Sequence, residues 1–243
     1  MEALIDFSAQ FAETISPREL DIDPERVLGA GASSLPLRDF HAEFVFAPDD
    51  PTDASAHTGL VGYRFQSAQA DRVVQFHVEG MTYSVVGGYT TWDDLERGAV
   101  AAFGVYQETV GASVPVRPAT RFINRIEIPF GTPLDQFLLV APAVPAGFRV
   151  GITAFRTETH FWNEGNGLAA TLTVSTAGAA EDASVGVVFL DVSVRSEKAF
   201  AFSASEALPD DLALELGGIR DTKNSVFFGS LSPQALARYR DTP

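Results

Sequence analysis

The sequence predicts an α+β fold: a curved antiparallel sheet of roughly seven to nine strands with long helices packed on one apolar face. Three observations carry this. Segments that alternate apolar and polar residues recur between turns rich in Gly, Asn and Asp, which is hairpin chemistry. Two longer segments repeat apolar residues at three- and four-residue steps. A hydrophobic fraction of 46%, with 19 Phe, supplies enough apolar area for a core within 243 residues. Both halves hold a hairpin-rich segment and one long amphipathic helix. A plan of two similar halves is therefore left open, although no residue-level repeat is found.

In chain order, residues 1–38 read as an N-terminal accessory arm and 39–243 as a single α+β domain. The arm is expected to hold a short helix over 4–15, because Leu4, Phe7, Phe11 and Ile15 fall on one helical face. A Gly/Ala/Ser run follows at 29–34, and the pattern turns extended at Arg38 through Phe44, Val45 and Phe46. The acidic, Pro-containing stretch 48–57 reads as a loop. Strands are expected at 62–67 and 73–86. The second is a hairpin turning at Glu79-Gly80, with Val74, Phe76 and Val78 on one face and Gln75, His77 and Glu79 on the other.

A Thr hydroxyl at Thr90 or Thr91, with acids following, marks a helix start. Trp92, Leu95, Ala99, Phe103, Tyr106 and Val110 then trace one stripe to Gly111, which suits a C-terminal cap. Residues 116–128 alternate as a strand: Arg117, Arg121, Arg125 and Glu127 face one way, Phe122, Asn124, Ile126 and Ile128 the other. After a short helix near 133–139 come strands at 148–162, 168–175 and 185–195. A final helix over 209–228 starts at Pro209-Asp210-Asp211 and is expected to weaken or kink at Gly217-Gly218. Ser232-Pro233 opens a last short one.

Composition narrows function. A formal charge of −15 opposes phosphate backbones, so no nucleic acid is expected as a partner. No run of about 20 apolar residues and no signal-peptide pattern occur, so a cytoplasmic location without a membrane partner is expected. The absence of Cys removes disulfides, thiolate metal sites and Cys nucleophiles. His41, His57, His77 and His160 form no i, i+4 pair, and neither a nucleophile elbow nor a P-loop is present. No metal, cofactor or catalytic residue is therefore assigned. The acid pairs Asp93-Asp94 and Asp210-Asp211 are read as helix-start residues.

The candidate binding residues are Arg117, Arg121 and Arg125, with His77 and Gln75, beside Arg64 and Gln66, on neighbouring strands. Two readings stay open: a polar sheet surface that accepts an anion or a partner's acidic side chain, or arginines paired across strands with Glu79, Glu127 and Glu158. Asn124, on an apolar face, is expected to be buried and hydrogen-bonded. It is read as structural, as are Trp92, Lys223 and Asn224.

Three segments carry a family resemblance: Val74-Gln75-Phe76 through Tyr89-x-x-Trp92, Arg121-Phe122-Ile123-Asn124-Arg125-Ile126-Glu127-Ile128-Pro129, and Lys223-Asn224-x-x-Phe227-Phe228. Together they resemble a sporadically distributed bacterial family of unassigned function, marked by an R-[YF]-I-N-R-I-x-[IL]-P segment and a C-terminal K-N-x-[IV]-F helix. The resemblance covers about 60–240 and implies cytoplasmic bacterial proteins, patchily inherited as genes of mobile or defence-type clusters often are. It supplies no catalytic residues. The expected function is a non-enzymatic binding or regulatory component with a protein partner. The alternative is an enzyme of unfamiliar type, using His77 or His160 with a nearby acid on a small anionic substrate.

Overall fold

Residues 2–9 show how strongly period two outweighs helical spacing here. In the computed structural model Glu2–Ala9 is a strand, β1, with Ala3, Ile5, Phe7 and Ala9 buried on one side and Leu4, Asp6 and Ser8 on the other. The helix expected over 4–15 is thus corrected over 4–9, its stretch 10–14 lying outside the described residues: burying Ala3 and Ile5 beside Phe7 needs alternation, and a helix would have scattered them. The described residues are 1–9, 15–47, 50–111, 115–129, 131–142, 154–176, 185–203 and 208–240, with side chains described for all of these except 40–57 and 238–240.

After a 3₁₀ turn at Pro17–Leu20 and the short helix α1 (Pro24–Leu28) come β2 (Ser33–Ala47), β3 (Asp50–Gln66), β4 (Arg72–His77) and β5 (Gly80–Val86). Helix α2 (Trp92–Val110) leads to β6 (Val116–Pro129) and a 3₁₀ turn at Leu134–Gln136. Then follow β7 (Arg156–Asn163), β8 (Leu168–Thr176), β9 (Val185–Ser196), α3 (Asp210–Ser230) and α4 (Pro233–Arg240). Among the described residues the nine strands form one antiparallel, unclosed sheet in the order β2-β3-β4-β5-β1-β6-β9-β8-β7. β1 sits inside this sheet, between β5 and β6, rather than in an arm beside it.

The order reads outward twice from the centre. β1 is followed by β5, β4, β3 and β2; β6, paired antiparallel to β1, is followed by β9, β8 and β7. In each half the first strand lies innermost, the last strand returns beside it, and a long helix comes next in the chain. The two similar halves are thus visible in topology.

Several local expectations change. The stretch expected to be a loop at 48–57 is, over 50–57, part of β3 paired with β2, so polar composition there marks a long ribbon. The hairpin turn lies at Val78-Glu79, one residue earlier than expected, and the ladder resumes with His77 opposite Gly80. Gly80 has φ +133°, and a Cβ there would meet the Phe7 carbonyl at 2.1 Å, so only glycine fits between β5 and β1. Helix α3 runs unbroken through Gly217-Gly218. Its Thr222 hydroxyl accepts from the Asn163 and Asn166 amides of the β7–β8 turn, and Leu216 and Ile219 are fully buried. Of the strand expected at 148–162, residues 148–153 lie outside the described residues.

The core forms where α2 and α3 cover one face of the sheet. Helix α2 is capped as its sequence foretells: the Thr91 hydroxyl accepts from the Asp94 N–H at 3.2 Å, and Gly111 closes it in the left-handed region at φ +64°. It buries Trp92, Leu95, Ala99, Phe103 and Tyr106 against β1, β4 and β5. Phe103 packs between Phe7 and Phe202 at ring distances of 5.0 and 4.9 Å. Among the described residues, no helix is long and apolar enough to cross a membrane.

Candidate functional site

Strand β6 addresses both sides of the sheet. Its burial alternates strictly enough that Phe122, Asn124, Ile126 and Ile128 point to the helices, while Arg117, Arg121, Arg125 and Glu127 point away from them. No register shift interrupts β6 against β1 or β9, so the three arginines share one face, as their even spacing requires.

On that helix-free face the registers align side chains in rows across the sheet. One row runs His160, Thr171, Ser193, Arg121, Leu4; the next runs Trp162, Ala169, Arg195, Ala119, Asp6. Small side chains at Ala119, Ala169, Thr171 and Ser193 leave a concavity of about 480 Å³, with Arg121, Arg195 and His160 around it. Arg121 is held by Asp191, which stands on β9 two residues from Ser193, its direct cross-strand partner: Nε lies 2.9 and 3.1 Å from the two carboxylate oxygens and Nη2 2.6 Å from one. This pairing holds its pKa above the ordinary arginine value. Arg121 Nη1 makes no hydrogen bond among the described residues. His160 is oriented from both ring nitrogens, by Glu158 at 3.2 Å and by Thr171 at 3.1 Å.

The other predicted binding residues divide. Arg125 is paired with Glu127 two residues along its own strand. Arg117 has no acid partner among the described residues, yet does not line the concavity. Gln75 and His77 share the helix-free face but stand on β4, separated from β6 by β5 and β1, and bond each other at 3.2 Å. Burial lowers the His77 pKa, against the opposing charges of Asp6, Glu79 and Asp39. The side chains of His41 and His57 lie outside the described residues. Asp191, Ser193, Thr171, Arg195 and Ala169 are the residues that sequence reasoning missed. Their even spacing within β8 and β9 was legible, but which strand lies beside β6 was not.

The residues read as structural gather on the opposite side of the same strand. Phe122 is edge-on to Tyr89 at 5.1 Å, stacked near Trp92 at 6.4 Å, and covered by the Lys223 ammonium at 4.0 Å from its ring centroid. The segments that carry the family resemblance therefore meet at one ring. Trp92 donates to Glu96 at 2.6 Å. Asn124 is buried and donates to the Leu190 carbonyl at a long 3.4 Å. Asn224 is half-buried and makes no side-chain hydrogen bond among the described residues. Lys223 is 9% exposed with no acid in ion-pair reach among the described residues, and burial followed by the charge of Arg220 pushes its pKa down to about 8.

Fold and site together define an open-sheet α+β protein with a polar concavity on the face opposite the described long helices. No protein-family model, curated protein or solved structure matches the chain.

Proposed function

We propose that the protein is a non-enzymatic binding component that receives an acidic side chain of a partner protein in the concavity between β1, β6, β9, β8 and β7. The observation that carries this reading is Arg121. Its guanidinium is fixed in orientation by Asp191 while Nη1 has no partner among the described residues, beside a floor of small side chains. A planar fork held in place loses little freedom on meeting a second carboxylate. The motif resemblance supports a partner encoded in the same mobile or defence-type bacterial gene cluster. The test is retention of a host partner by the wild type, Arg121→Ala and Arg121→Lys, with folding checked by circular dichroism. Loss in both variants supports the reading, since Lys keeps the charge and loses the fork; retention in both ends it.

A second reading, an enzyme acting on a small anionic substrate, is favoured by the His160–Glu158 contact of 3.2 Å beside the same concavity. It requires that His160→Ala remove a turnover that Arg121→Lys only weakens.

A further inference from the structure

The two edges of the sheet are built differently. β2, at one end of the strand order, carries Pro36 and breaks its register against β3 twice, and both features discourage a further strand from pairing. β7, at the other end, has eight residues with no Pro, no Lys and no register shift against β8. Among the described residues no strand pairs with its outer side. All of its side chains except Thr157 are exposed, including Phe161 at 41% and Trp162 at 58%. A regular edge of this kind is a template for one more strand.

The phase of the ladder shows which backbone groups are free. The Thr176 N–H donates to the Phe155 carbonyl at 3.1 Å, so these two residues form a hydrogen-bonded pair. Antiparallel alternation then turns the backbone groups of Thr157, Thr159 and Phe161 toward β8 and leaves those of Arg156, Glu158, His160 and Trp162 on the open edge. These four residues fit a second copy of themselves. With Thr159 on a two-fold axis, Glu158 stands opposite the second copy's His160, and Arg156 opposite its Trp162, which suits a cation–π contact. Thr157 stands opposite the second copy's Phe161 on the other face, so each exposed aromatic gains a neighbour. Moving the axis by one residue sets Glu158 against Glu158 or His160 against His160. Charge therefore selects Thr159.

We propose that β7 is a self-association edge: two copies of the chain pair their β7 strands antiparallel about Thr159 and join their sheets into one. The occupant is a second copy because the strand's charges and exposed aromatics complement themselves, as an isologous contact requires. The two-fold axis stands perpendicular to the sheet, so both concavities open on the same side. The pairing does not depend on what the concavity binds.

The experiment uses the full chain in sedimentation equilibrium, where a monomer–dimer equilibrium is expected. A chain that stays monomeric up to about 1 mM leaves the edge to a strand of another protein and overturns the proposal. His160→Pro removes an N–H on the open side, where an edge strand tolerates proline, while His160→Ala keeps it. With folding checked by circular dichroism, the proline variant is expected to associate at least about tenfold more weakly than the alanine variant, because symmetry removes the bond twice. Equal association of the two overturns the edge geometry. The chain has no cysteine, so a single one reports the register. Thr159→Cys is expected to form an intermolecular disulfide under mild oxidation, since the two copies meet there as a closely spaced non-hydrogen-bonded pair. Arg156→Cys is expected not to, because its mate lies about 20 Å along the paired strand. Equal cross-linking of the two variants overturns the pairing about Thr159.

Discussion

The Tyr106 hydroxyl donates to the backbone carbonyl of His77 at 2.8 Å, tying the middle of α2 to the last residue of β4. Tyr106 is fully buried, and burial raises its pKa well above the ordinary tyrosine value. Tyr106→Phe keeps the ring and its contacts with Phe76 and Phe103 but strands an acceptor, so a loss of about 1–2 kcal/mol is expected by urea denaturation. The folded state holds this proton more tightly than the unfolded chain. The phenol's contribution is therefore intact below the ordinary tyrosine pKa of about 10 and is lost as pH climbs beyond it. Tyr106→Phe should flatten that alkaline decline.

Phe103→Ala removes the ring at the centre of the α2 interface, between Phe7, Phe202 and Tyr106. Because Phe103 is 0% exposed and its neighbours come from three separate elements or segments, the cavity cannot collapse easily. The expected cost is about 3–5 kcal/mol, measured as a lower denaturation midpoint with an unchanged slope.

Asn124→Leu tests how much the buried amide contributes. Its bond to the Leu190 carbonyl is long at 3.4 Å, while Phe122 and Ile126 on either side offer apolar contacts to a leucine. The change should fall within about 1 kcal/mol of the wild type, the balance between one weak hydrogen bond and gained apolar burial. A larger loss would mean that the amide holds the β6–β9 register.

What the sequence revealed depended on whether the deciding contacts were local. Helix α2 was legible because Thr91, Gly111 and the Trp92-to-Tyr106 stripe all lie within it. Strand β6 was legible because alternating arginines and large apolar residues state its two faces. Strand β1 was hidden: Ala3 and Ala9 are weak apolar markers, and Leu4, Phe7 and the later Phe11 imitate a helical stripe. Its neighbours, β5 and β6, lie about 80 and 115 residues away, beyond any local signal. The site suffered the same way. The arginine face could be drawn from parity, but Arg121's partner at Asp191 and the small residues of the concavity needed the β6-β9-β8 order. Gln75 and His77 were expected beside the arginines and are separated from them by two intervening strands.

Lys223 links burial, pH and stability in one measurable curve. Its pKa falls from the ordinary 10.5 to about 8, chiefly through burial and secondarily through Arg220. Below pH 8 both folded and unfolded chains carry the proton, and the folded state bears the cost of partly desolvating the charge beside Arg220. Between about 8 and 10.5 the unfolded chain binds more protons than the folded one, so this group makes stability rise with pH. A difference of that size corresponds to roughly 3 kcal/mol, reduced by about 0.5–2 kcal/mol for the contact with Phe122. Lys223→Met removes the charge and keeps an unbranched apolar side chain over the ring. It should therefore be more stable than the wild type at pH 7, by about 1–2 kcal/mol, and the gap should close as pH approaches 10. Denaturation midpoints at pH 7, 8, 9 and 10 check both the sign and the window. A variant less stable than the wild type at pH 7 would show that the contact with Phe122 and the remaining hydration compensate the ammonium inside the fold.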